Sequence, residues 1–155
     1  MKKGLLIFIF IIIAIVILLL VFGQISKSGN AAGLVKGKLL KCPAKPNCVC
    51  SEQKEDTDHY IDPIILSREN TEDTLRILKE VIQDSGGVVQ TETDTYLSAS
   101  FTSSVFGFTD DFEARVDSTQ NVIHVRSASR VGYSDLGVNK KRAELIKELF
   151  EKSVN

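Results

Sequence analysis

The chain has 155 residues, room for one domain plus an attachment segment, with 19 basic and 20 acidic side chains and a formal net charge of −1. That average hides a division: Lys2, Lys3 and Lys27 are the only charged residues before position 34, so the remainder is acidic, at net −4. A mildly acidic domain lacks the basic footprint of a nucleic-acid binder, and no nucleic-acid partner is expected.

Every residue from Leu5 to Phe22 is apolar (LLIFIFIIIAIVILLLVF). At about 1.5 Å per residue this run reaches roughly 27 Å, close to the roughly 30 Å hydrocarbon core of a bilayer. The apolar core of a cleavable signal is shorter, about 7–15 residues, so residues 1–23 read as an uncleaved transmembrane anchor meeting the lipid bilayer through residues 5–22. Lys2, Lys3 and the α-amino group precede the span, while Lys27, Lys36, Lys38 and Lys41 follow it. Close to the span the N-terminal side leads narrowly in positive charge, which places the domain outside the cytoplasm in a single-pass arrangement.

Residues 24–41 mix Gly, Ser, Asn and Lys and read as a tether. Residues 42–155 form the soluble domain, and its first stretch holds Pro43, Pro46 and Pro63, the only prolines, so the chain begins there stiff and extended. Ile61–Leu66 reads as a short strand. A helix follows, with Asn70 or Thr71 as N-cap, Glu72 and Asp73 in its first turn, Leu75, Leu78, Val81 and Ile82 as its apolar stripe, and Gly86-Gly87 past its end.

Val88–Thr93 and Tyr96–Thr102 alternate about a turn and predict a hairpin. Asp111–Asp117 and Val122–Arg130 predict a second one. If Asp117 opposes Val122, Val116 meets Ile123 and Ala114 meets Val125 on an apolar face, while Glu113 meets Arg126 and Arg115 meets His124 on a polar face. A slip by one residue would mix apolar and charged partners throughout. A last helix spans Val138 to Lys152, with Asn139 as N-cap and Leu145, Ile146, Leu149 and Phe150 buried. The fold class is therefore α+β: an N-terminal transmembrane helix, then an antiparallel sheet of about five strands with two helices on its apolar face. The polar face is left open.

Several blocks resemble the uncharacterised domain-of-unknown-function family 1499: Cys42-Pro43 with Pro46-Asn47-Cys48-Val49, then HYIDP at 59–63, FGFTDDFE at 106–113 and RSASRVGYSDLGVNKKR at 126–142. The resemblance extends from about Cys42 to Phe150. It implies a membrane-tethered or exported domain, lends weight to these polar residues, and names neither activity nor substrate. Cys42 and Cys48 look like the family's paired cysteines, which implies a disulfide in an oxidising compartment. Cys50 departs from the pattern, where Ser is expected, and makes the cysteine count odd. A metal site built from Cys42, Cys48, Cys50 and His59 is the alternative; its spacings fit zinc poorly, and no metal or cofactor is expected.

Two clusters hold candidate chemistry. Asp110, Asp111 and Glu113 lead into a strand, where paired carboxylates serve as acid and base or hold a cation, or else pair with arginine across the sheet. The second cluster is Arg126, Arg130, Tyr133, Asp135, Asn139 and Arg142. Lys140, Lys141 and Arg142 oppose the positive end of the helix dipole, a placement that stability alone does not favour. With the exposed amides of a helix start, these residues describe an anion site for a carboxylate, phosphate or anionic lipid headgroup. The opposing expectation is that Asp135 and Glu113 consume the arginines internally. An accessory module binding an anionic small molecule or lipid headgroup is the first functional reading. The second is a membrane-anchored hydrolase or isomerase using His59 with Asp110 or Asp111.

Overall fold

In a computed structural model, describing residues 2–66 and 74–154, the apolar N-terminal run forms one helix, α1 (Lys2–Lys27). This helix is long and apolar enough to cross a membrane, and none of the residues in its apolar run is buried by the described residues. Its last two turns behave differently: Leu19 is partly covered, and Gly23 and Ser26 are buried. These three positions share one side of the helix, and that side faces the domain.

The chain then makes a small hairpin, β1 (Leu34–Val35) and β2 (Lys38–Leu39), before the main sheet. Sheet and helices follow as β3 (Cys48–Cys50), β4 (Ile64–Ile65), α2 (Thr74–Asp84), β5 (Val88–Glu92), β6 (Tyr96–Thr102), β7 (Thr109–Asp117), β8 (Val122–Ser129) and α3 (Val138–Ser153). The sheet has six strands, in the order β3-β8-β7-β6-β5, with β4 sharing the outer edge of β8 beside β3. All its pairings are antiparallel. The expected register of the central pair is the one observed: Asp117 opposes Val122, Ala114 opposes Val125 and Glu113 opposes Arg126. Placing Val116, Ala114 and Phe112 together against Ile123 and Val125 is what excludes the slipped alternative.

Both α2 and α3 lie on the apolar face. Leu78, Val81 and Ile82 of α2 meet Ala143, Ile146 and Phe150 of α3 over Leu97, Ala99, Phe112, Ala114, Ile123 and Val125. Full burial of each large side chain there contributes about 1.5–3 kcal/mol. Three local expectations need correction. Leu145 is 48 % exposed, because α3 turns Asn139, Ala143, Ile146 and Phe150 inward instead. The N-cap of α3 is Gly137, at φ 79°, a left-handed conformation that glycine adopts freely. Asn139 lies inside the first turn. The capping residues proposed for α2, Asn70 to Asp73, fall outside the described residues.

The polar face is not open. Residues 24–41 lie across it as a strap. The Gly33 amide donates to Glu113 Oε1 (2.7 Å), and the Leu39 amide to Glu52 Oε1 (3.3 Å). Leu39, Cys42, Cys48, Cys50, Tyr96 and Ala128 form a second apolar cluster beneath the strap. The stretch read as a tether is therefore ordered against the sheet, and Asp111, Glu113, Arg115, His124 and Arg126 are buried on that face.

His124 is one of them. It is 6 % exposed, its Nδ1 faces Ser51 Oγ at 3.1 Å, and its Nε2 is buried without a partner among the described residues. Burial, reinforced by nearby Arg115, pushes its pKa below the ordinary histidine value, although the charge of Glu52 opposes this. The unfolded chain then binds a proton that the folded chain refuses. Stability is full above about pH 6.5 and falls as pH drops through that value toward the folded group's own pKa. Thermal melts between pH 7.5 and 5.5 are expected to show this decline, and His124→Gln to flatten it. An equal slope in the variant would assign the acid sensitivity elsewhere.

Candidate functional site

Strand parity divides the acidic cluster between the two faces of the sheet. Asp110 points to the helix face, where its Oδ2 accepts from Arg142 Nη2 at 2.9 Å. Asp111 and Glu113 point to the opposite face, beneath the strap. Glu113 is fully buried; its Oε1 accepts from the Gly33 amide and the Tyr96 hydroxyl (2.7 and 2.8 Å), and its Oε2 from Arg126 Nη1 (2.7 Å). Burial, with the Glu113 charge beside it, holds the Tyr96 hydroxyl protonated far above the ordinary range. Asp111 takes Arg130 in a forked pair, at 2.6 Å to Nη2 and 2.9–3.0 Å to Nε.

Each arginine predicted for anion binding thus faces a carboxylate of its own chain. Asp135 contributes differently from the internal-network expectation, since it caps α3. Its carboxylate accepts from the Gly137 amide (3.0 Å), the Asn139 amide (2.7 Å) and Asn139 Nδ2 (2.8 Å). The positive end of the α3 dipole is thereby occupied by an internal anion. Asn139, 1 % exposed, is a hub, accepting from Ser127 Oγ (2.6 Å) and Arg142 Nη1 (2.8 Å) and donating to Ser129 Oγ (2.9 Å) and the Asn47 carbonyl (3.2 Å). Tyr133 is 69 % exposed in the loop before α3. The six candidate ligand residues therefore form no single pocket: Arg126 and Arg130 occupy one face, Asp135, Asn139 and Arg142 the other.

Arg126 and Arg130 remain together, and what completes their surroundings comes from the strap. A cavity of about 220 Å³ is lined by Gly29, Asn30 and Ala32 on one side and by Asp111, Arg126, Ala128 and Arg130 on the other. Arg126 is 6 % exposed, and its Nε is buried with no hydrogen-bond partner among the described residues. A guanidinium has five donors, and an unmet one typically costs about 1–3 kcal/mol. Nothing in the composition of Gly29, Asn30 and Ala32 marks them as site residues, because they contribute backbone and small side chains.

Arg130 joins this site to α1. Its Nη1 donates to the carbonyls of Ser26 (3.1 Å) and Lys27 (3.2 Å) at the C-terminal end of the helix. Ser26 Oγ donates to the Gly23 carbonyl (2.7 Å) and accepts from the Thr109 amide (2.9 Å). The helix end is thus fastened to β7 and β8 through hydrogen bonds.

The cysteines lie beside the strap. Cys42 and Cys48 are joined by a disulfide with a Cα separation of 5.7 Å, and Cys50 is a buried free thiol. Burial raises its pKa to about 11, so the thiol stays protonated at neutral pH and is a poor nucleophile or ligand. His59 sits outside the β3 edge, where its Nδ1 meets Asp56 Oδ1 (2.8 Å) and its Nε2 the Lys45 carbonyl (3.1 Å). Two strand spacings, roughly 10 Å, lie between β3 and β7. The structure does not bring His59 together with Asp110 or Asp111.

An α+β domain with a sealed polar face, behind one helix able to cross a membrane, is the class of protein these observations define. The chain belongs to the family described as protein of unknown function DUF1499, whose profile matches residues 38–150. No curated protein matches it.

Proposed function

We propose that this chain is a single-pass, membrane-anchored accessory module, its domain outside the cytoplasm, that binds a small monoanionic carboxylate under the strap. The observation that carries the reading is the Arg126 Nε donor, buried with no partner among the described residues, in a side chain that lines a cavity. A carboxylate seated in that cavity supplies a charge-assisted acceptor for the Nε once the Arg126 side chain turns it toward the cavity. Arg126 and Arg130 are already balanced by Glu113 and Asp111, so one added negative charge is tolerated and a second meets uncompensated repulsion. The site thus favours a monocarboxylate over a dicarboxylate or a phosphate dianion. The disulfide supports the outward placement, since such bonds persist in oxidising compartments.

Thermal melts of the full chain in detergent test this. Acetate is expected to raise the melting temperature in a saturable way, and succinate and phosphate to raise it less at equal ionic strength. Ala128→Val, which fills the cavity and leaves both ion pairs in place, is expected to remove the acetate response. An unchanged response in that variant, or none in the wild type, overturns the reading. A reporter fused after Asn155 is expected to be active only on the outer side of the membrane, and activity in the cytoplasm would reverse the orientation.

A further inference from the structure

On the other face of the sheet, at the end next to α1, lies a larger cleft of about 680 Å³. One wall is Leu19, inside the apolar run of α1. The others come from the β6–β7 loop and the β8–α3 loop, and the floor holds Asp110 and Arg142. Leu19 is three residues before Phe22, where the uninterrupted apolar run ends, roughly 4.5 Å along the helix axis. If α1 spans a bilayer, this cleft opens where hydrocarbon gives way to headgroups.

A second observation points the same way. The two loops bordering the cleft carry Val105, Tyr133 and Leu136 at 73, 69 and 89 % exposed. Apolar side chains so exposed on neighbouring loops are costly in water and favourable at a membrane interface, where tyrosine in particular concentrates. The attachment of α1 holds these loops in place. Gly23 packs against Phe106 so closely that an added Cβ would lie 1.8 Å from its carbonyl oxygen. The mouth of the cleft cannot swing away from the helix without breaking that contact.

We infer that this cleft holds one phospholipid with a zwitterionic headgroup, its acyl chains leaving along α1 past Leu19. Phe101, Phe108, Val131 and Val138 offer apolar wall to the glycerol and upper acyl region, while hydroxyls of Ser103, Ser129 and Ser134 line the polar part. The charges select the headgroup. Arg142 is paired to Asp110, and Asp135 is also in the lining, so the cleft carries a net negative charge. An anionic headgroup adds net negative charge to a lining that is already negative, whereas a zwitterionic one adds none and can turn its ammonium toward the Asp110 and Asp135 side of the cleft. This inference rests on the membrane reading of α1 and is independent of the carboxylate cavity, which lies on the opposite face.

The test uses the full chain extracted in mild detergent and mixed with equimolar phosphatidylcholine and phosphatidylglycerol, with retained lipid counted by native mass spectrometry. One phosphatidylcholine per chain is expected to survive detergent stripping, with phosphatidylglycerol several-fold less abundant. Leu19→Trp narrows the cleft from the helix side and leaves the domain's own residues unchanged, and Val138→Trp narrows it from α3; each is expected to lose most of the bound lipid. Val88→Trp, on β5, is expected to retain it. Retention unchanged in both cleft variants would mean that lipid merely coats α1, and preference for phosphatidylglycerol would contradict the charge argument; either result overturns the inference. Loss of the acetate response in Ala128→Val with lipid retention intact would leave this inference standing alone.

Discussion

Glu113→Leu is expected to lower the stability of the domain by about 3–5 kcal/mol, the range for leaving a buried charge without its partner. Glu113 is fully buried and holds three separate donors: the strap through Gly33, β6 through Tyr96 and β8 through Arg126. With leucine in its place, Arg126 keeps its charge inside the protein, and the buried Tyr96 hydroxyl and the partly buried Gly33 amide go unmet. The double variant Glu113→Leu/Arg126→Met tests the cause. It removes both charges and is expected to be substantially more stable than Glu113→Leu alone, a non-additivity that isolates the pair. Additive losses in denaturant titration would mean that Glu113 acts through shape rather than charge. Glu113→Gln keeps two acceptor contacts and is expected to fall between wild type and Leu.

The reason Glu113 matters so much is also the reason the site was only partly legible beforehand. Glu113 opposite Arg126 follows from side-chain alternation alone, because Ala114 and Val116 must face Val125 and Ile123. The two helices follow likewise from their apolar stripes. Periodicity does not show what lies on the polar face. The strap covers it with a glycine amide, two helix-end carbonyls and a single leucine, so a stretch of Gly, Ser, Asn and Lys reads as linker. Strand β3 was missed for a related reason: Val49 alone faces the core there, between two cysteines and shortly after a proline. Asn139 has the residue type of a cap, but the capping carboxylate is Asp135, four residues earlier, behind a left-handed glycine. Arg126 falls on β8 as the alternation requires, and Arg130 lies one residue past its end. Their carboxylate partners come from a neighbouring strand and are visible only once the register is built.

Gly23→Ala is expected to release the end of α1 from the sheet, although alanine is the better helix former by about 1 kcal/mol. The added Cβ would lie 1.8 Å from the Phe106 carbonyl oxygen and 2.9 Å from its carbon, both backbone atoms that cannot rotate aside. The helix must back away, and the Ser26 bond to the Thr109 amide and the Arg130 bonds to the Ser26 and Lys27 carbonyls are lost. Three bonds at about 0.5–1.5 kcal/mol each enlarge the open population by more than about tenfold. Proteolysis that follows this population is expected to cut faster by a similar factor after Lys27, Lys36 and Lys38. Gly4→Ala is the control, since it adds the same methyl to the same helix where nothing lies within 4 Å. Equal cleavage in the two variants would mean that α1 is not seated as described. The same release removes the roof of the cavity at Gly29 and the wall of the cleft at Leu19. Gly23→Ala should therefore weaken the acetate response and lipid retention together, whereas Ala128→Val and Leu19→Trp each affect one alone. Only a helix end shared by both sites produces that pattern.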